Sequence, residues 1–173
     1  LGASKTGSVI AFSIRDAFEM LECAVVLNIL GDPQSAALQI TRLTEIYAQL
    51  PTHSVRSELQ VSRQQFSTPA PLALFAQSRA LMTSDDIMLE PSAGTGLLAT
   101  EAARLNLELH LNELDPNRRA LLANLFPIAS VTSHDGATIS ARWQGRAPTT
   151  ILMNPPFSRN ADGYEDSFTA LRH

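Results

Sequence analysis

Residues 87–96 read IMLEPSAGTG, and this stretch decides the fold class. The apolar run at its start is typical of a short buried strand, and the small residues after it favour a tight turn. Gly94 and Gly96 allow the backbone to turn sharply and to approach a ligand closely, which residues with a side chain could not do. The alanine-rich segment that begins around Gly96 and runs to about residue 105 predicts a helix, whose free N–H groups would face the turn.

The same alternation of elements continues after this unit. Apolar runs predict strands at 107–111, 128–132 and 149–153, and a helix at 116–125 follows the first of them. Strands that alternate with helices imply right-handed crossovers and a parallel sheet with helices on both faces. We therefore predict an α/β fold with a Rossmann-like sheet.

The first part of the chain has a helical pattern instead. Apolar residues recur at helical spacing from 11 to 30, and a second helix runs from 35 to about 50. Residues 1–51 are therefore predicted to be an N-terminal helical appendage, for which packing without chemistry is the favoured interpretation, and 52–173 to be the domain with the functional site. Within that domain, Thr68 followed by Pro69 predicts a helix start with a hydroxyl cap and a proline at the first position.

Composition limits the function classes. The chain of 173 residues is 45% hydrophobic and 17% charged, which is typical of an ordinary globular protein. A formal charge of −4 argues against a strongly cationic nucleic-acid surface, unless the part that holds the substrate lies elsewhere. A single cysteine, Cys23, excludes an intrachain disulfide and favours a reducing, cytoplasmic location. The histidines lack metal-ligand spacing and no apolar run is long enough for a membrane span, so neither a metal site nor a membrane partner is predicted.

The turn after the first strand is the first candidate site. A plain strand-to-helix turn would not need an acid at Glu90, so a cofactor site is the favoured interpretation. Ala99 occupies the third position of the glycine pattern, which also tolerates alanine, and the spacing therefore does not choose between NAD and another adenosine cofactor. The predicted cofactor contacts in this turn are Glu90, Pro91, Ser92, Ala93, Gly94 and Gly96.

Acidic residues follow the next two strands. Glu113, about twenty residues beyond the glycine turn, is positioned to accept both ribose hydroxyls of a bound adenosine, and Leu114 belongs to the same contact set. Asp115 precedes a proline that starts a helix, so we predict that it caps that helix. Asp135, followed by Gly136, could accept a hydrogen bond from the adenine amine, although an Asp-Gly pair is also a common turn.

The motif that separates the candidate functions is Asn154-Pro155-Pro156-Phe157, directly after the fourth strand. The prolines hold the Pro155 carbonyl in place, and Asn154 offers an amide oxygen beside it. Two such acceptors can bind both hydrogens of a planar amine and free its lone pair to attack a methyl group. Phe157 supplies a face on which an extruded base can stack. A simple proline turn is the alternative, but ligands bind along this edge of open parallel sheets, where the glycine turn is also expected.

Together these residues resemble the amino-methyltransferase class of S-adenosylmethionine (SAM) enzymes over about residues 64–157. The motif order is that of adenine-N6 DNA methyltransferases whose cofactor half comes first. In the family's first motif, matched by QFSTP at 65–69, the Thr68 position helps to hold the methionine end of the cofactor, and Phe66 belongs to the same contact set. The remaining matches are the glycine motif at 90–96, the ribose acid Glu113, the adenine contact Asp135, and the catalytic motif at 154–157, whose Asn154 also contacts the cofactor.

The resemblance implies a SAM-dependent methyltransferase sheet and direct methyl transfer to an exocyclic amino nitrogen, with adenine N6 in DNA as the leading target. No cysteine lies near the motif, which excludes the thiolate route. The alternatives are an RNA or protein-glutamine methyltransferase and a non-catalytic SAM-binding module of a larger helicase protein. An NAD oxidoreductase is the weakest alternative, because it leaves 154–157 unexplained.

Two further expectations concern the chain as a whole. Residues 56–58 (RSE) together with 64–69 also resemble the methylase segment that precedes a helicase in bacterial strawberry-notch-like proteins, which implies a linked helicase region. The family sheet has seven strands, and this chain ends about twenty residues after Asn154. We therefore expect the methyltransferase domain to be partial, truncated after the fourth strand, and without full activity on its own.

Overall fold

The structure, a computed structural model, describes residues 14–49 and 68–155. Two helices lie in the first range, and four strands alternate with four helices in the second. None of the helices in these ranges is long and apolar enough to cross a membrane. In chain order the elements are α1 (Ile14–Gly31), α2 (Ala36–Gln49), α3 (Ala70–Ala80), β1 (Ile87–Glu90), α4 (Thr100–Arg104), β2 (Glu108–Asn112), α5 (Pro116–Leu125), β3 (Ser130–Thr132), α6 (Ile139–Arg142) and β4 (Thr150–Ile151).

The four strands form one parallel sheet with the order β3-β2-β1-β4. In β1, Leu89 lies between His110 of β2 and Ile151 of β4. All four residues of β1 are buried, so both faces of this central strand are covered. This strand order is that of the first four strands of a Rossmann sheet, and it confirms the predicted α/β fold class.

The first two helices share the core of the sheet. One apolar cluster contains Val26 and Ile29 of α1, Leu43 of α2, and Met88 and Leu111 of the strands. α2 packs along α3, and α1 packs against α4 and α5. The described part of the predicted appendage is therefore bound to the α/β core by a continuous apolar contact.

Local signals predicted several elements well. α5 has the predicted bounds, and Asp115 caps it as expected: its Oδ1 accepts from the backbone N–H groups of Asn117 (2.9 Å) and Arg118 (3.2 Å). β3 and β4 are shorter than the predicted 128–132 and 149–153. The pairing of β4 nevertheless extends by one residue, since the Leu152 N–H donates to the Leu89 carbonyl at 3.2 Å.

The helix predicted to begin around Gly96 is present, but its first turn is not α-helical. A 3₁₀ turn at 97–99 comes first, and α4 starts only at Thr100 and contains five residues. The buried side chain of Gln77 explains the late start. Its Oε1 accepts from the Glu101 N–H at 2.6 Å and its Nε2 donates to the Leu97 carbonyl at 2.9 Å. The Glu101 N–H is therefore engaged by α3 rather than directed at the glycine turn.

The predicted hydroxyl cap on α3 was wrong. The helix begins at Ala70, Pro69 occupies the cap position, and no side chain caps it. Thr68 instead accepts a hydrogen bond from the Asn154 side chain, 86 residues further along the chain. This tertiary contact replaces the local one that the sequence suggested.

Candidate functional site

The strand order reverses between β1 and β4. From β1 the chain builds the sheet in one direction through β2 and β3, and β4 then pairs on the opposite side of β1. Ligands of open α/β sheets bind in the crevice outside the carboxyl ends of the strands at such a point. The glycine turn follows β1 and Asn154 follows β4, so they lie on the two sides of this crevice. A hydrogen bond joins them, because Ser92 Oγ donates to the Asn154 carbonyl oxygen at 3.3 Å.

The two glycines of the turn have different roles. Both have left-handed backbone, with φ of 57° at Gly94 and 85° at Gly96. A Cβ at Gly96 would lie 2.2 Å from Cε2 of Phe126, so this position has no space for a side chain. A Cβ at Gly94 would meet only Arg118 Nη1, at 3.7 Å, among the described atoms within 4 Å. Gly96 thus permits close packing against Phe126, and Gly94 is the glycine beside open space.

Glu113 is fixed beside the turn. Its Oε2 accepts from the Gly94 N–H at 2.8 Å and its Oε1 accepts from the Asp115 N–H at 2.7 Å. A carboxylate has about four acceptor positions, so these two bonds orient the group and still allow it to accept hydroxyl groups. The neighbouring Leu114 side chain is 66% exposed and offers an apolar surface beside it.

Glu90, at the end of β1, is 2% exposed. Its Oε2 is buried and has no hydrogen-bond partner among the described residues. Burial raises the pKa of this carboxyl well above its usual range, and the nearby charge of Glu113 raises it further. An orphaned acidic oxygen in this position requires an explanation, and a donor group on a bound ligand would provide one.

Asn112, which the sequence did not single out, connects three strand ends. Its Nδ2 donates to the carbonyl oxygens of Pro91 (2.9 Å) and His134 (2.8 Å). Its Oδ1 accepts from Thr132 Oγ1 and from the His134 N–H, both at 2.8 Å. A side chain that can both donate and accept hydrogen bonds, at the carboxyl end of a predicted strand, was the available signal.

The loop after β3 lies against the turn after β1. A Cβ on Gly136 would lie 3.1 Å from the Pro91 carbonyl oxygen. Asp135 is exposed, and its Oδ1 accepts from the Ala137 N–H at 3.0 Å, which begins a 3₁₀ turn at 136–138. Asp135 therefore forms the local turn that an Asp-Gly pair favours, and its contact with adenine stays a prediction.

Asn154 is half-buried at the other side of the crevice. Its Nδ2 donates to Thr68 Oγ1 at 3.0 Å, and the exposed Pro155 follows it. The structure thus brings together Thr68, Ser92 and Asn154 from three distant parts of the sequence. The predicted site residues Phe66, Pro156 and Phe157 lie outside the described residues.

Helix α1 is hydrogen-bonded to the glycine turn. Glu22 Oε2 accepts from Thr95 Oγ1 at 3.1 Å. Glu19 forms a salt bridge of 3.0 Å with Arg118, and both side chains are nearly fully buried. The sequence did not predict these contacts, although the two acids, within an otherwise largely apolar helix, were a signal.

Comparisons with known proteins add little to this geometry. No protein-family model matches the chain, and no curated protein matches it. Among solved structures it is similar to the crystal structure of a "putative RNA methyltransferase" from Pyrococcus horikoshii, at 22% identity and a TM-score of 0.49. The match covers 69% of this chain and 61% of that chain, so this chain spans less than two thirds of that protein's length. The fold assignment therefore rests on the strand order and parallel register of the chain itself.

Proposed function

We propose that the protein transfers a methyl group from SAM to an exocyclic amino nitrogen, with adenine N6 in DNA as the leading target. The observation that supports this proposal is the 3.3 Å hydrogen bond between Ser92 and Asn154. Methyl transfer between two bound partners needs the donor and the acceptor to be held a few ångströms apart. A cofactor turn and an amine-binding turn on one rim of the sheet meet that requirement.

The residues around the glycine turn fit the cofactor. Glu113 would accept the ribose hydroxyls, Leu114 would contact the adenine, and the Gly94 backbone can approach the ligand closely. The orphaned Glu90 oxygen suits a hydrogen-bond donor on the ligand, such as the ammonium group of the methionine part. When bound, the cofactor supplies a methyl group on a sulfonium, which is electrophilic without help from an acid.

The proposed work of Asn154 and Pro155 is to bind the substrate amine. The Asn154 amide oxygen and the Pro155 carbonyl oxygen accept its two hydrogens, so the nitrogen lone pair is directed away from the ring plane. With SAM bound, that lone pair would form the new N–C bond as the C–S bond breaks, the sulfur would keep the electron pair of that bond, and one amine hydrogen would leave as a proton to water. No covalent enzyme intermediate is needed, which agrees with the absence of a cysteine from this motif.

The proposal is tested with the full-length protein and radiolabelled SAM, offered with DNA, RNA and a glutamine-containing peptide. Transfer to DNA, with N6-methyladenine identified by nucleoside mass spectrometry, is the expected result. Transfer to RNA or to glutamine would contradict the DNA assignment and leave the amine chemistry intact. Cofactor binding without turnover on any of the three would favour a non-catalytic SAM-binding module instead.

Asn154→Ala tests the assigned residue. We expect kcat to fall by at least about 100-fold, the range seen when one preorganised polar contact to a transition state is removed. The affinity for S-adenosylhomocysteine, measured by calorimetry, should stay within about threefold, because the substitution removes an amine contact in this proposal. Asn154→Asp keeps acceptor oxygens in the same place and is the matched control, with partial activity expected. Full activity of the alanine variant would reject the assignment.

A further inference from the structure

We propose that Thr68 is a positioning residue that holds the side-chain amide of Asn154 in place at the crevice. This inference rests on the proposed function and deepens it. The observation behind it is the 3.0 Å hydrogen bond from Asn154 Nδ2 to Thr68 Oγ1. It is a role distinct from the cofactor contact that the resemblance implies for this threonine.

The orientation of an amide matters because its two ends have nearly the same shape and opposite hydrogen-bonding character. The oxygen accepts hydrogen bonds and the NH₂ group donates two. A substrate amine in the crevice donates hydrogen bonds, so only the oxygen of the Asn154 amide can bind it. A flipped amide would place its own NH₂ group against the hydrogens of the amine. Nδ2 is the end of the amide that faces the Thr68 hydroxyl, so this hydrogen bond holds the side chain in place with its nitrogen on the side of Thr68.

The threonine is available for this contact because the helix does not use it. α3 begins without any side-chain cap, although Thr68 stands two residues before it. Both Thr68 and Asn154 are half-buried, which limits the competition from water for the hydrogen bond.

The support behind Thr68 is rigid as well. Ala70, Ala73 and Leu74 of α3 are buried in the core, and Gln77 is hydrogen-bonded to the segment that follows the glycine turn. Thr68 is therefore attached to the same framework that holds the proposed cofactor turn. A hydroxyl on such a support can fix the position of an amide that lies after a different strand.

The test compares Thr68→Val, which keeps the branched shape without the hydroxyl, with Thr68→Ser, which keeps the hydroxyl. In the full-length protein we expect Thr68→Val to lower kcat by about 10- to 100-fold, as misplacement of a reacting group does. Its affinity for S-adenosylhomocysteine should stay within about threefold, and Thr68→Ser should retain most of the activity. Circular dichroism and thermal melting verify that both variants fold. A large loss of cofactor affinity with unchanged kcat would overturn the proposal and favour a direct cofactor contact.

A second readout does not depend on activity. The side-chain NH₂ signals of Asn154 can be followed by ¹⁵N NMR in the cofactor-free protein and assigned from their disappearance in Asn154→Asp. They should move in Thr68→Val and stay in place in Thr68→Ser. Signals that do not move in Thr68→Val would refute the positioning role. If the Asn154 NH₂ signals move in Thr68→Val and Asn154→Ala is nevertheless fully active, the hydrogen bond is present and the proposed function is wrong.

Discussion

Replacing Asn112 by aspartate would test whether one side chain holds the rim of the site together. The substitution keeps the size of the side chain and an oxygen that can accept from Thr132 and His134. It removes the NH₂ group that donates to the Pro91 and His134 carbonyl oxygens at 2.9 and 2.8 Å. The new oxygen would face these two carbonyl oxygens across hydrogen-bond distance, and Asn112 is only 2% exposed.

The size of the effect follows from the two lost bonds. Each contributes about 1 kcal/mol, and the part-buried carbonyl groups left without this donor add roughly 1–3 kcal/mol in total. We therefore expect Asn112→Asp to lower the free energy of unfolding by about 3–5 kcal/mol at pH 8. Thr132→Val is the matched control, since it removes only one of the four hydrogen bonds of Asn112 and should cost about 1 kcal/mol.

The loss should also depend on pH. Burial raises the folded-state pKa of the introduced carboxyl above its unfolded value of about 3.9, so the folded state binds a proton more tightly. Stability is then lost as the pH rises from about 4 through the folded pKa, and the protonated form can still donate to one carbonyl. Urea denaturation followed by circular dichroism at pH 5 and pH 8 measures both effects. A variant within about 0.5 kcal/mol of the parent protein at both pH values would refute the role assigned to Asn112.

Three further substitutions follow from the structure, each measured by denaturant unfolding. Glu19→Gln leaves the buried guanidinium of Arg118 without its carboxylate partner and should lower the free energy of unfolding by about 3 kcal/mol. An unchanged free energy of unfolding would mean that the ion pair is not formed. Glu90→Gln should stabilise the protein more at pH 8 than at pH 5. The folded-state pKa of Glu90 is raised, so the parent protein loses stability as the pH rises from 4.5 through that folded pKa. The glutamine variant has no such carboxyl and does not show this loss. Gly96→Ala should lower the free energy of unfolding by about 2–4 kcal/mol, because its Cβ would overlap Phe126 and its φ is 85°. Gly94→Ala should lower it by about 1 kcal/mol. Equal decreases would contradict the distinction between the two glycines.

The parts of the fold that the sequence predicted are those with local causes. The apolar run at 87–89 is continuous, so β1 was predicted to within one residue. α5 was predicted with its bounds because a capping aspartate and a proline stand at its start. The first turn of the helix after the glycine turn is not α-helical because the N–H of Glu101 is bound by Gln77, 24 residues earlier, and no local pattern reports such a partner.

The candidate site likewise has features that the local sequence predicts and features that depend on distant residues. Residue types at strand ends predicted that Glu113 and Asn154 lie at the same edge of the sheet, because the carboxyl ends of parallel strands meet there. The contacts that orient these side chains come from distant positions, such as Thr68 for Asn154. The roles of Glu19 and Asn112 were missed for the same reason, since Glu19 pairs with a residue 99 positions away.

The charges around the glycine turn bear on which cofactor it can accept. Glu22 and Glu113 are hydrogen-bonded to Thr95 and Gly94 of the turn, and Glu90 lies at the strand end before it. The nearby guanidinium, that of Arg118, already forms a salt bridge with Glu19. A dinucleotide would place a diphosphate here, where the N–H of Glu101 in the helix after the turn is already bound by Gln77. Under the proposed function, a cofactor with a sulfonium and an ammonium group meets attraction from Glu22 and Glu113, and this difference favours SAM over NAD independently of the Asn-Pro motif.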